Sequence, residues 1–241
     1  MSIFPAVVKL LDAENHYRAI SGDVVLIGRQ RIEFSEQTDY EFFGRYPITS
    51  IKAIDVSDYE GAELIVDLNL PLPTRMTGIA DFIFDGSCLD NMFDPAQAIR
   101  SLSRMLRPNG RLVMMEHSTA MHSAYTMMSP EWFFNFFAMN GYDDCQIKLF
   151  DFPEGINGTW REHCWEAFEG DKPARTTVSD ARPDIGHYLT VVLAERGTKS
   201  TDSNTPIQSI YRDMHASGHD RFLAAHQRYR SSGRRYERSA G

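Results

Sequence analysis

The chain has 241 residues and a mass of 27.5 kDa, enough for one sizeable α/β domain with a continuous core and too short for two generous ones. Its 42% hydrophobic and 12% aromatic content is that of a globular protein, and no apolar run approaches the roughly 18 residues that would span a bilayer. A net charge of −8 repels nucleic acid at long range, and three widely spaced cysteines, Cys88, Cys145 and Cys164, argue against a disulfide framework and a four-ligand structural metal site.

The N-terminal segment has Lys9 after an apolar Ile3–Val8 but no basic start, long apolar stretch or small-residue cleavage site, so a cytoplasmic protein without a signal peptide is expected. Within residues 4–20, Val7, Leu10 and Leu11 predict a short helix leading to the first strand. That strand, Asp23–Gly28 (DVVLIG), reads as a central parallel strand buried on both faces. In a nucleotide-binding α/β fold it should end in a glycine-rich turn, because only glycines let the backbone approach a ligand closely. Here Gly28 is followed by Arg29-Gln30-Arg31-Ile32.

Residues 34–50, with Tyr40, Phe42, Phe43 and Tyr46, read as a shortened helix or irregular loop ending at Pro47, and Ile51–Ile54 as the second strand. Asp55 at its end is placed as a carboxylate acceptor for ribose hydroxyls or as a helix-capping Asp, with Asp58 the runner-up for the ribose role. Ala62–Val66 predicts a third strand, and Asp67-Leu68-Asn69 before a proline-rich exit is by itself an ordinary turn.

Asp81–His117 reads as a complete strand, helix, strand unit. The strand from Asp81 to Asp85 enters a loop, Asp94 caps a helix that Pro95 opens, and Arg107-Pro108-Asn109-Gly110 turns the chain into a buried strand, Arg111–Met115. Ala98, Leu102 and Met105-Leu106 fall on one helix face, with Gln97, Arg100, Ser103 and Arg104 expected in water. Such a crossover joins parallel strands in a right-handed sense.

This pattern of a strand-opening Asp, an Asp-Pro loop, a helix closing in Arg-Met-Leu-Arg-Pro-Asn-Gly and an apolar strand resembles the fourth and fifth strands of the class I S-adenosylmethionine-dependent methyltransferases. The resemblance covers roughly residues 20–150. It implies a doubly wound, mostly parallel seven-stranded Rossmann-like sheet with the last strand antiparallel, and S-adenosylmethionine as cofactor near Gly28. It also implies that Asp67 accepts from the adenine amino group while the Leu68 N–H meets the ring. Leu26 stands where the family has an acid, and Gln30 and Ile32 where it has glycines. Both side chains would enter the space of the methionine part unless the loop is reshaped.

Asp85-Gly86-Ser87-Cys88-Leu89-Asp90-Asn91 would then floor the reaction site, with Gly86 and Ser87 suited to close approach and Cys88 a small buried hydrophobe. Asp55, Asp67 and Asp85 each follow a predicted strand, and their convergence at the carboxyl ends is what a ligand crevice requires. A base for an acceptor hydroxyl would be His117 or Asp85, although His117 is equally placed to hydrogen-bond a neighbouring loop.

Ser129-Pro130 starts a helix whose aromatic residues read as core and which Asn140-Gly141 ends. Cys145–Phe150 is the sixth strand and His187–Ala194 the last. The intervening insertion, about 151–186, is longer than the usual connection and brings Trp160, His163 and Trp165, which could line a sugar- or ring-binding wall or bury a satellite core. The chain divides into residues 1–197, the methyltransferase-like domain, and 198–241, a C-terminal extension. Residues 206–241 carry seven Arg against three acids, a net +4 that leaves −12 on the rest, and could form an RNA- or membrane-surface contact, with a solvated terminal extension or an intersubunit arm of a homo-oligomer the favoured reading, while residues 212–241 read as a polar helix and frayed end. Residues 194–212 resemble the end of methyltransferase-like proteins of bacterial surface-polysaccharide gene clusters, which implies a saccharide among the candidate acceptors. The leading expectation is a methyltransferase acting on a small-molecule or saccharide acceptor. The alternative is a non-catalytic binding or scaffold protein that kept the fold. A dinucleotide oxidoreductase fits poorly, because the first strand lacks GxGxxG.

Overall fold

The computed structural model describes residues 2–119, 124–155, 158–174, 187–207 and 216–232. Among these, one sheet has eight strands: β1 (Gly22–Ile27), β2 (Ile48–Asp55), β3 (Leu64–Ile65), β4 (Ala80–Gly86), β5 (Leu106–His117), β6 (Asp144–Phe152), β7 (Arg161–Trp165) and β8 (His187–Glu195). Their order across the sheet is β3-β2-β1-β4-β5-β8-β6-β7. Neighbours from β3 to β5 are parallel, while β8 runs antiparallel to both β5 and β6. The expected seven strands become eight because the insertion supplies β7, antiparallel to β6 at the outer edge. The order reverses between β1 and β4, and a crevice at the carboxyl ends of those strands is where such sheets take ligands.

The helices are α1 (Pro5–Tyr17), α2 (Asp39–Phe43), α3 (Pro95–Met105), α4 (Pro130–Met139) and α5 (Ala216–Ser231). Alternation along the strands splits the core in two. Val24, Leu26, Phe82 and Phe84 pack with α1 and α2, while Val25, Ile27 and Ile83 pack with α3, α4 and α5. Each fully buried Phe or Leu contributes about 1.5–3 kcal/mol. A buried ion pair, Arg111 to Glu14 at 2.7 Å, ties β5 to α1.

Local signals act where the sequence places them. Asp94 accepts from the Gln97 N–H at the start of α3, and Ser129 accepts from the Glu131 N–H at the start of α4. Gly141, with φ of +67°, follows the end of α4. Ser103 does not face water: it is 1% exposed, and its hydroxyl accepts from the Tyr142 hydroxyl at 2.7 Å. The helix α5 puts Phe222, Ala225 and Tyr229 into the core beside Phe134. Among the described residues, no helix is long and apolar enough to cross a membrane.

Candidate functional site

The crevice is bounded first by the loop after β1. Gly28 takes φ of +67°, and its N–H bonds the Ile54 carbonyl of β2 at 2.8 Å. Beyond it Arg31–Ile32 pairs, parallel, with Ser2–Ile3. That pairing turns Ile32 into the core on the α1 side, where it is 3% exposed, so it does not enter the ligand space. Gln30 does enter. Its Nε2 donates to the carbonyls of Ile27 (3.0 Å) and Gly28 (3.3 Å), and its Oε1, buried without a partner, lies against Gly86. A Cβ on Gly86 would stand 2.2 Å from that oxygen, so glycine there makes room for Gln30.

The loop is also anchored by a pair that the sequence reading missed. The Arg29 guanidinium forks Asp39, with Nε to Oδ2 at 2.9 Å and Nη2 to Oδ1 at 2.6 Å, and Asp39 Oδ2 accepts the Gln30 N–H at 2.8 Å. Asp39 is 1% exposed, and its hydrogen bond raises the Arg29 pKa further above its ordinary value. Tyr40 lies under the guanidinium, 4.3 Å from ring centre to Cζ.

At the end of β2, half-buried Asp55 accepts the Val56 N–H at 2.6 Å, whereas Asp58 is exposed in the following turn. After β3, half-buried Asp67 accepts both the backbone and side-chain N–H of Asn69, and Asn69 in turn accepts the Asp94 N–H at 2.9 Å. Leu68 is buried in the α3-side core. The ends of β2 and β3 therefore present two partly exposed carboxylates along one edge.

The floor is acidic. Asp85, Asp90 and Glu116 are each fully buried, although β4 and β5 supply only the first and last of them. The register pairs Asp85 with Met114, which puts Glu116, two residues on, on the same face just beyond Asp85. Asp85 accepts the Cys88 N–H at 2.8 Å, and Glu116 accepts the Asp90 N–H at 3.0 Å. Burial first, with the Asp90 charge behind it, pushes the Asp85 pKa up to about 7, and burial with the Asp85 charge pushes Glu116 well above the carboxylate range. Both shifts favour the protonated carboxyls. Burial also pushes the Cys88 thiol well up, and its Sγ donates to the Ile27 carbonyl, so Cys88 is not a nucleophile.

Above this floor, Asp90 Oδ2 gathers three donors: the His117 backbone N–H at 2.8 Å, His117 Nδ1 at 2.6 Å and the Ser87 hydroxyl at 2.8 Å. Ser87, with φ of +74°, also lies 2.9 Å from Nδ1. This network assigns the Nδ1–H tautomer, which makes Nε2 the basic nitrogen. Asp90 and Glu116 stand within the two segments singled out from the sequence, but only the alignment of β4 with β5 shows that they meet.

The structure does not bring Trp160 and His163 to His117. His163 is exposed on β7, with β8 and β6 between its strand and β5. Trp160 packs against the α1-side core. Trp165 packs on Phe134 with ring centres 5.8 Å apart, the satellite-core alternative. Among the described residues, no group of three or more His, Cys, Asp or Glu is arranged to hold a metal ion.

No profile of a protein family and no curated sequence matches the chain. Among solved structures, phosphoethanolamine N-methyltransferase 2 of Haemonchus contortus, in complex with phosphomonomethylethanolamine and S-adenosylhomocysteine, matches with a TM-score of 0.51 at 9% identity, over 81% of this chain and 54% of its own. The chain has a class I methyltransferase-like fold. It spans about half the length of that nematode enzyme. An S-adenosylmethionine-dependent methyltransferase of Archaeoglobus fulgidus gives a TM-score of 0.47 at 14% identity, over 78% of this chain and 94% of its own. The [4+2]-cyclase SpnF gives 0.47 at 14% identity, over 80% and 81%.

Proposed function

We propose that the protein binds S-adenosylmethionine across the carboxyl ends of β1 to β4 and methylates a small acceptor bearing a hydroxyl group. The observation that carries the reading is the His117 ring, oriented by Asp90 at the end of β5 beside the β4 loop. Three features support a fit to the cofactor. Asp55 and Asp67 remain partly exposed at the nucleoside end, Ile32 is turned away, and Gln30 is a neutral side chain held by two hydrogen bonds of its amide. Turning Gln30 aside breaks two hydrogen bonds of about 1 kcal/mol each but relieves a buried, unpartnered acceptor that costs about 1–3 kcal/mol. These contributions nearly cancel, so Gln30 is an obstacle of roughly 1 kcal/mol or less.

In this reading Asp55 accepts from the ribose, and Asp67 with the Leu68 N–H holds the adenine. Gly28 and the Ser87 backbone border the amino-acid part. Bound there, the cofactor supplies an electrophilic methyl group on a good leaving group. His117 Nε2 takes the acceptor's hydroxyl proton, and Asp90 stabilises the resulting imidazolium through Nδ1–H. Asp85, sealed beneath the loop, serves as floor rather than as base. Positioning supplies the rest of the acceleration. A saccharide acceptor is kept within the proposal on the sequence resemblance of residues 194–212 alone.

A second reading, a binding or scaffold protein without methyl transfer, is favoured by the Arg29–Asp39 fork, which holds the loop with Gln30 inward. Calorimetric titration with S-adenosylmethionine and S-adenosylhomocysteine separates the two. The transferase reading expects micromolar binding to the unaltered chain and at most about fivefold tighter binding to Gln30→Gly, following the small barrier above. Binding to Gln30→Gly alone, or to neither folded protein, would make the second reading the better one.

A further inference from the structure

We infer that a cleft between α3 and α4 is a second small-molecule site, one that takes a compact apolar ring carrying a hydroxyl group. The cleft has a volume of about 410 Å³, within the roughly 300–1,000 Å³ of ligand pockets. None of its lining residues is among those at the carboxyl ends of β1 to β5 already described.

The helix α4 explains why it exists. Phe133, Phe134, Phe136 and Phe137 go into the core, and Trp132, Asn135 and the cleft-facing edge of Phe136, at three- and four-residue spacing, line the cleft. Ile99 of α3 and Pro206 complete apolar walls. The segment bearing Pro206 is fixed in place rather than loosely laid: Arg100 Nη2 donates to the Thr205 hydroxyl at 3.0 Å, and the Thr201 and Asn204 N–H groups bond Asn140 at 2.8 and 3.0 Å.

Asn135 gives the cleft its chemistry. It is 4% exposed in a helix otherwise almost wholly apolar, and its Oδ1 is buried without a hydrogen-bond partner. A carboxamide left so is costly where a Leu would be comfortable, and a rotation of the side chain that brings the oxygen to the cleft wall lets a ligand hydroxyl remove that cost by donating to it. The ring of such a ligand would lie against Trp132 and Phe136.

The test uses p-cresol and its methyl ether, 4-methylanisole, at millimolar concentration, followed by calorimetry and by the NMR signal of the Trp132 indole N–H, assigned with Trp132→Phe. Saturable p-cresol binding that shifts this signal is expected, with the ether about tenfold weaker because it cannot donate. Asn135→Leu should abolish the preference for cresol, and Ala96→Trp, at the half-exposed rim, should block both compounds while leaving the fold intact. Equal affinity for the two compounds, no shift of the Trp132 signal, binding that persists in Ala96→Trp, or no p-cresol binding would each overturn the assignment. S-Adenosylhomocysteine affinity is measured alongside and should be unchanged in Ala96→Trp, so the second site and the transferase reading stand or fall separately.

Discussion

The two loops that face each other across the switch point neutralise their charges by opposite means. The loop after β1 matches charge with charge: Asp39 is answered by the Arg29 guanidinium and the Gln30 N–H. The floor between β4 and β5 answers three buried carboxyls with backbone N–H groups, a hydroxyl and an imidazole. The first arrangement fixes a conformation. The second makes the floor the half of the crevice that feels protons.

Breaking the first loop should have the largest effect. Asp39→Ala leaves the Arg29 guanidinium with only the Glu60 carbonyl and the Tyr40 ring and strands the Gln30 N–H, and because the Arg29 side chain is already 25% exposed it should cost about 2–3 kcal/mol, less than the loss from a fully buried pair. A lowered urea midpoint at constant slope would show it. On the other side, His117→Gln should lower kcat about 100-fold with the first acceptor that supports turnover, the scale of general-base catalysis. S-Adenosylhomocysteine binding by calorimetry should barely change. A parallel loss of affinity would reduce His117 to a structural bond.

The floor predicts a pH dependence of definite sign. The folded-state pKa of Asp85, about 7, lies above its unfolded value, so the folded chain holds more protons between them. Stability present at acid pH is therefore lost as the pH rises through 7, with a slope of up to about 1.4 kcal/mol per pH unit for each proton involved. Denaturation midpoints of Asp85→Asn, measured from pH 5 to 8, should show a flatter slope. Smallest are the nucleoside-end effects: Asp55→Ala and Asp67→Ala should each weaken S-adenosylhomocysteine binding by slightly more than about 1 kcal/mol. Unchanged affinity in both would remove them from the site.

What could be read in the sequence depended on whether the signal was local. The elements β1, β4, β5, α3 and α4 announce themselves through apolar runs and through Asp94, Pro95, Ser129 and Gly141, each acting on its own turn of chain. The strand β7 does not, because Arg161-Glu-His-Cys-Trp165 sits at an edge with no apolar run to mark it. The helix α5 hides Phe222, Ala225 and Tyr229 among arginines, although their spacing of three and four was there to be seen. The fate of Ile32 was decided by Ser2–Ile3, nearly thirty residues earlier in the sequence, and that of Gln30 by the closeness of Gly86. The candidate residues Asp55, Asp67, Asp85 and His117 were legible as strand-end groups, while the partnership of Asp90 and Glu116 depended on register between strands.

The position of β8 sets the order in which the chain can be assembled. It is the last strand of the sheet to be synthesised, yet it lies between β5 and β6. Until residue 195 has left the ribosome, the parallel half and the β6–β7 hairpin each present an open edge, the kind of surface that pairs with the wrong partner. Closing a sheet through such distant contacts is intrinsically slow. The nascent chain therefore passes through a window in which its two halves are made but not joined, and that window is where chaperone contact or misassembly would act.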